Sequence, residues 1–338
     1  MPLPDEFERI RLWTESRQTA DFLLASGVRL GIGDDTAVVG APAGIEWLLA
    51  VDTMVEQIHF RSETMEDADV GYKALASNIS DIAAMGGIPA HALISVSVPP
   101  AWDFNRMKSL YDGFYECAER YSVAVVGGDT TAAPSDLVVA VTVFGTVEAG
   151  RAITRAGARA GHIVFVTGPV GLSAGGLHGM LPSDTARPKP PERLIRAHRR
   201  PAPSVKAGRL LLERGWGKSL NDVSDGLASE AWEIAEASGV RLVLKEASLP
   251  LSGELASYAA DCRVDPLDWM LYGGEDYVLL GTANGEDEAA MREVFRQEGI
   301  PLFVIGETEE GPPGVELETE RGLRKPLAKR GYNHFAKG

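Results

Sequence analysis

Six short acidic motifs recur along the 338-residue chain: GIGDD (31–35), LLAVDTM (48–54), ASNISDIAAMG (76–86), VVGGDTT (125–131), NDVSDG (221–226) and YGGEDY (272–277). Each sets carboxylates beside glycines or small residues, where a backbone can turn tightly and approach a ligand closely. Carboxylate oxygens are hard donors that suit Mg²⁺ and, through it, phosphates. One acidic site built from several of these motifs is the chemistry they suggest together. Taken singly, each has a plainer reading. GIGDD, Asp52, Asp129 and the Glu275-Asp276 pair also read as turns, and Ser224 or Asp225 reads as the cap of a following helix. Asp81 is harder to dismiss, because it sits among Ile79, Ile82 and Ala83, where an unpaired carboxylate is costly to desolvate.

The elements that must position these residues alternate between strand and helix. Phe7–Leu24 has the apolar spacing of a helix, and residues 36–39 and 46–52 read as strands, the second ending in Asp52. A helix is predicted over 67–85, with Asn78 and Asp81 three apart on one face. Strand 90–98, helix 102–121, strand 123–126 running into Gly127-Gly128-Asp129, and strand 137–148 follow. Near residue 150 the pattern restarts with strand 162–167, a glycine-rich turn over 168–176 and a helix over 172–180. Residues 182–203, rich in proline and arginine, read as a long loop or hinge. Helix 205–214, strand 219–223, helix 227–238 and strand 240–244 come next, then strand 277–282, helix 286–298 and strand 302–307. This alternation predicts an α/β (α+β, mixed-sheet) chain of two domains that meet near residue 150.

Composition narrows the function. A formal net charge of −15 argues against nonspecific nucleic-acid binding, and holding a phosphate in so acidic a protein requires cations in between. No apolar run approaches the ~20 residues of a membrane helix. Asp5, Glu6 and Glu8 stand where a signal peptide would be basic, so a cytoplasmic location is expected. Cys117 and Cys262 lie far apart without a CxxC, which speaks against a disulfide framework or structural zinc. The glycine-rich 168–176 stretch lacks the Lys-Ser/Thr of a P-loop, and neither a nucleophile elbow nor HExxH is present.

In this order, KALASNISDIAAMG, GGDTT, GRAITRAG, VSDGL and GGEDY make the chain resemble the thiamine-monophosphate kinase family. That family belongs to a superfamily with aminoimidazole ribonucleotide synthetase, selenophosphate synthetase and the hydrogenase-maturation protein HypE. The resemblance runs from GIGDD to Gly331-Tyr-Asn-His-Phe335. It implies a PurM-like two-domain architecture. Residues 1–149 would bind ATP and Mg²⁺ and pair with their twin in a homodimer, and residues 150–338 would form the C-terminal α/β domain. The implied reaction is ATP plus thiamine monophosphate giving ADP plus thiamine diphosphate. The family's metal ligands fall on Asp34, Asp35, Asp52, Asp81, Asp129, Asp222 and Asp225, its ATP contacts on Gly128, Arg155 and Ser224, and its substrate contacts on His59, Glu275 and Tyr332. Several Mg²⁺ ions would hold two polyanions in line without a general base. One departure stands out: Ala50-Val51 replaces the hydroxyl-bearing pair the family usually places before Asp52. A sister ATP-dependent activity, or a sensor that binds without turnover, is the alternative. The chain lacks the C-terminal reactive cysteine of HypE-like proteins.

Overall fold

A computed structural model describes residues 20–25, 28–30, 34, 36–40, 43–183 and 187–332. The helices are α1 (Ala20–Ala25), α2 (Asp67–Ala84), α3 (Phe104–Tyr121), α4 (Leu172–Met180), α5 (Glu192–Arg199), α6 (Val205–Glu213), α7 (Leu227–Ser238), α8 (Gly253–Cys262), α9 (Pro266–Tyr272) and α10 (Glu288–Gln297). The first-half strands are β1 (Val28–Leu30), β2 (Ala37–Gly40), β3 (Ile45–Val55), β4 (Ile88–Val98), β5 (Ala124–Ala132) and β6 (Val138–Glu148). Those of the second half are β7 (His162–Val166), β8 (Ser219–Asp222), β9 (Arg241–Lys245), β10 (Leu279–Asn284), β11 (Phe303–Glu309), β12 (Gly314–Glu318) and β13 (Arg324–Pro326).

Among the described residues the first half forms one sheet in the order β1-β2-β3-β6-β4-β5, and the second half another, β13-β12-β9-β11-β7-β10-β8. Both are mixed. The first is antiparallel except for β4 with β5, and the second except for β12 with β9. The architecture is therefore the two-domain α/β arrangement expected from the alternation. No helix among the described residues is long and apolar enough to cross a membrane.

Helix α2 is central. Glu66 and Asp69 close a capping box at its N-terminus. From Asp69 to Ala84 every residue except Asp81 is buried. It crosses α3 at glycines: a Cβ on Gly71 would lie 1.9 Å from the Leu110 carbonyl oxygen, and one on Gly113 would lie 1.8 Å from that of Ala68. On its other flank, Gly208 of α6 packs against the Ala83 carbonyl, where a Cβ would meet the oxygen at 2.2 Å. Leu211, Leu212, Leu279 and Phe295 from the second half join the same apolar core as Leu48, Ile82 and Val141 from the first. The halves thus share a core. Arg209 fastens the seam with a paired contact to Glu148 at 2.8 and 3.0 Å and a bond to the Gly86 carbonyl.

The strands carrying the first-half acids run further than predicted. Asp52 lies within β3, paired with Val141, and Asp129 lies within β5, paired with Ser95. Neither carboxylate ends its strand, because the neighbouring strand continues to supply ladder partners beyond it. The segment 182–203 is also corrected: α5 interrupts it and buries Leu194, Ile195 and His198. These three share one side of a helical turn, which gives the segment a core-facing stripe despite its prolines and arginines. The described part of the predicted N-terminal helix is α1; residues 7–19 lie outside the described set.

Placing a methyl group at the α2–α3 crossing should be costly. Gly113→Ala is expected to destabilise the fold by about 1–3 kcal/mol or more through overpacking, because backbone atoms oppose it. Thermal or urea unfolding would measure this, and a near-neutral result would contradict the packing described.

Candidate active site

A cavity of about 800 Å³ lies between the halves. Asp52 and Thr53 of β3, Asp81 of α2, Ser224 and Asp225 after β8, and Glu275 before β10 all line it. His59 and Tyr332 stand on the same wall, their rings 6.2 Å apart. The Tyr332 backbone N–H donates to the Asp225 carbonyl at 3.2 Å, which brings the C-terminal segment to the site.

The acids are placed by polar groups on the buried helix α2. Asn78 Oδ1 accepts the Asp52 backbone N–H at 2.9 Å, while its amide donates to the Ala74 carbonyl at 3.0 Å. The Ser80 hydroxyl donates to Asp222 Oδ2 at 2.6 Å, joining the two halves. Asp52 is an exposed residue of β3 on the cavity wall, and desolvation by the surrounding elements pushes its pKa up, against a hydrogen bond from Ser77. Burial likewise raises Asp222, to about 6, with the Ser80 bond opposing and the negative charge of Asp52 adding to the rise. After burial, the charges of Glu275, Asp52, Asp222 and Asp81 all push the Tyr277 hydroxyl up.

A second acidic layer supports Asp225. Its backbone N–H donates to Glu230 Oε1 at 3.1 Å, and Glu230 also accepts from the Asn221 amide at 2.5 Å. Helix α7 starts from Gly226 at φ 123° with no side-chain cap. The plain reading of Ser224 or Asp225 as a helix cap therefore does not hold, and both groups face the cavity instead. Arg155 sits behind this layer. Its guanidinium contacts Glu233 at 3.0 Å and Asn221 at 3.2 Å, and its backbone N–H donates to Asp34 Oδ2 at 3.2 Å.

Not every expected residue reaches the cavity. Asp222, Arg155 and Asp34 stand one layer behind its lining. Gly128 and Asp129 lie on the exposed edge strand β5, away from it. A Cβ at Gly128 would lie 1.8 Å from the Ile94 carbonyl oxygen, so strand pairing by itself already requires glycine there. Asp35 falls outside the described residues.

The donor chemistry fits Mg²⁺. Asp52, Asp81, Asp222 and Asp225 offer hard oxygens in a partly desolvated pocket. Among the described residues no three acidic, histidine or cysteine side chains converge closely enough to hold one ion alone.

Glu275 is held from both halves. Lys73 Nζ of α2 lies 2.6 Å from its Oε2, and His198 Nδ1 of α5 lies 3.2 Å from the same oxygen. Burial alone would raise the Glu275 carboxyl, but the Lys73 charge and the bond from His198 outweigh it and hold the pKa at about 2. Burial pushes Lys73 the other way, downward, with Glu275 opposing. At this separation the ionised pair is the state the geometry supports. Next to it, Asp276 accepts the backbone N–H of Gly171 at 2.5 Å and of Ser173 at 3.1 Å. The glycine-rich stretch therefore offers its helix N-terminus to a carboxylate of the chain itself, and its glycines serve close packing against α5 and α9.

Reasoning from sequence missed Lys73, Ser77, Ser80, His198, Glu230 and Asp276 as parts of this site. One signal was available: Lys73, Ser77 and Asp81 are spaced four apart on one helix and so share a face. His198 and Glu230 carry no such mark.

Comparison with known proteins fits this geometry. Residues 33–147 match the AIR synthase related protein N-terminal domain and residues 159–317 the corresponding C-terminal domain, which defines the class as a PurM-like two-domain protein. A Bacillus subtilis thiamine-monophosphate kinase is 42% identical over 315 residues, covering 92% of this chain and 94% of its own. The Escherichia coli K12 thiamine-monophosphate kinase is 36% identical, with 91% and 93% covered. The solved structure of AaThiL complexed with AMPPCP and TMP superposes with a TM-score of 0.82 at 32% identity, covering 98% of this chain and 97% of the other. The chain belongs to the thiamine-monophosphate kinase family.

Asp276 supplies a pH test. Burial pushes its carboxyl up to about 7, above its unfolded value, with the backbone N–H groups of Gly171, Ser173 and Leu172 opposing and Glu275 adding to the rise. The native state then keeps a proton that the unfolded chain has released, so this group's contribution to stability falls as pH rises from about 4 to about 7. Asp276→Asn, which removes the titrating proton and keeps one of the two acceptor oxygens, should flatten that slope in melting temperature between pH 5 and pH 8. Asp276→Ala should instead cost about 0.5–2 kcal/mol of helix capping at either pH. An unchanged slope in the Asn variant would rule the assignment out.

Proposed function

We propose that this chain transfers the γ-phosphoryl group of ATP to thiamine monophosphate, giving ADP and thiamine diphosphate, by direct in-line transfer. The observation that carries this reading is the convergence of Asp52, Asp81 and Asp225, backed by Asp222, on a cavity that also bears His59, Glu275 and Tyr332. It is supported by the relative solved with AMPPCP and TMP.

Asp52, Asp81, Asp222 and Asp225 would hold Mg²⁺, with Asp34 and, by family resemblance, Asp35 and Asp129 contributing. The metal supplies charge neutralisation between the two polyanions and orientation for displacement. The acceptor is a phosphate oxygen, anionic near neutral pH, so the chain need not remove a proton from it. Ser224 is assigned to ATP, with Arg155 acting from behind the acidic layer and Gly128, on the edge strand away from the cavity, carried only by family resemblance. Ile58, Leu177, Leu181 and Tyr272 give the cavity an apolar flank suited to the rings of thiamine. Thr53 also borders the cavity, so a hydroxyl is available next to Asp52 although Ala50 and Val51 offer none. We assign dimerisation and the Asp52 and Asp81 side of the metal site to residues 1–149, and the wall bearing Arg155, Asp222, Ser224, Asp225 and Glu275 to residues 150–338.

The homodimer reading rests on the first sheet. One face is packed by α2, and the opposite face presents Trp47, Leu49 and Phe144 half-buried and Val51 at 63% exposure. A second copy presenting the same face would cover it in an isologous contact. Val51→Glu with Phe144→Lys should shift the sedimentation coefficient to that of a monomer. An unchanged value would remove this face from the interface.

Product analysis tests the activity. Purified protein with ATP and Mg²⁺ should form thiamine diphosphate from the monophosphate and not from free thiamine. Chelation of the metal should abolish turnover, and Asp225→Asn should lower kcat on the order of 100-fold or more. Nucleotide binding without product would favour a sensor, and phosphate retained covalently on the protein would rule out direct transfer.

A further inference from the structure

We infer that Lys73 is a positioning residue that sets thiamine-monophosphate binding through Glu275. This rests on the reading of the cavity as a thiamine-monophosphate kinase site with Glu275 on the substrate side.

Lys73 is a fully buried lysine in the middle of α2, and among the described residues its ammonium pairs with Glu275 Oε2 at 2.6 Å, an ion pair without hydrogen-bond geometry. An isolated ammonium in such a place is strongly disfavoured, so the pair must be kept together for the helix to pack. Glu275, in contrast, is 28% exposed and lines the cavity. The contacts from Lys73 and His198 both fall on Oε2, while the partly exposed carboxylate borders the cavity. The backbone beneath is pinned as well. Glu275 adopts φ 66°, a left-handed conformation disfavoured for a residue with a Cβ, and its N–H donates to the Ser224 carbonyl at 2.6 Å.

Charge gives this arrangement a purpose. The cavity already carries Asp52, Asp81 and Asp225, and a fourth uncompensated carboxylate would repel a phosphate-bearing substrate. Lys73 neutralises Glu275 from the protein side. Glu275 can then accept a hydrogen bond from an N–H group of the substrate, such as the amine of its aminopyrimidine ring, without adding net negative charge to the site. Lys73 also shares its helical face with Ser77 and Asp81, four and eight residues on, so the same rigid element fixes Glu275 of the second half relative to the acids of the first. Its effect should therefore fall on the thiamine substrate and not on the nucleotide.

The test is a double-mutant cycle of Lys73→Met and Glu275→Gln, reading KM for thiamine monophosphate and for ATP separately. Glu275→Gln is expected to raise KM for thiamine monophosphate about tenfold, leaving KM for ATP within about twofold. Lys73→Met should do the same or more. The double variant, which places a neutral pair in the core, should match Glu275→Gln alone within about twofold, because Lys73 acts only through that carboxylate. If Lys73→Met fails to fold, comparing the double variant with Glu275→Gln still decides. A further tenfold rise in the double variant, or equal rises in KM for both substrates, would overturn the proposal. So would a wild-type KM in Glu275→Gln. Failure of the wild-type protein to form thiamine diphosphate would instead reject the underlying kinase reading.

Discussion

The structure depends on a helix that is buried on almost every side and yet must deliver polar groups to a cleft. Apart from Asp81, α2 exposes almost nothing between Asp69 and Ala84, so each polar residue on it needs a partner. Those partners are the site itself. Asn78 holds the backbone at Asp52, Ser80 holds Asp222, and Lys73 holds Glu275. The glycines on the far side have the complementary role. Gly71 and Gly113 let α3 approach to backbone contact, and Gly208 does the same for α6. Satisfying the helix and assembling the cavity are one physical requirement.

Electrostatics follows from the same burial. Desolvation pushes both Asp52 and Asp222 toward protonation, and the charge of Asp52 adds to the rise at Asp222, a repulsion that a divalent cation would relieve. Two cations near these acids are committed: Arg155 is engaged by Glu233, Asn221 and Asp34, and Lys73 by Glu275. Arg61 and Arg330 stand on the cavity wall itself beside the aspartates. The protein thus compensates its supporting acids internally and puts both cations and acids on the wall that meets a ligand. This is how a chain of net charge −15 can favour phosphate ligands.

Much of the fold could be read along the chain. Helices 172–180 and 227–238 have the bounds the sequence predicts: Gly226 and Gly239 bracket the second, and Gly171 and Pro182 bracket the first. The ends of β3 and β5 were not legible, because a strand continues as long as its neighbour offers hydrogen bonds, and the neighbour is distant in sequence. Helix α5 was hidden by prolines and arginines that local reasoning assigns to loops. Its arginines are in fact drawn in by acids elsewhere, as in the contact of Arg200 with Asp69 at 2.6 Å just beyond the helix end.

For the site, the sequence by itself determined which residue types were available and that they were carboxylates in tight, small-residue surroundings. That alone pointed to hard cations and phosphates. Tertiary structure decided which of them meet. It brought Asp52, Asp81, Asp225 and Glu275 to one cavity, set Asp222, Arg155 and Asp34 a layer behind it, and left Asp129 on an open strand edge. It also recruited Lys73, His198 and Glu230, whose roles depend on partners up to about two hundred residues away. Local motifs record what a backbone turn can present. The partner that neutralises or desolvates a side chain is chosen by packing, which no short stretch encodes.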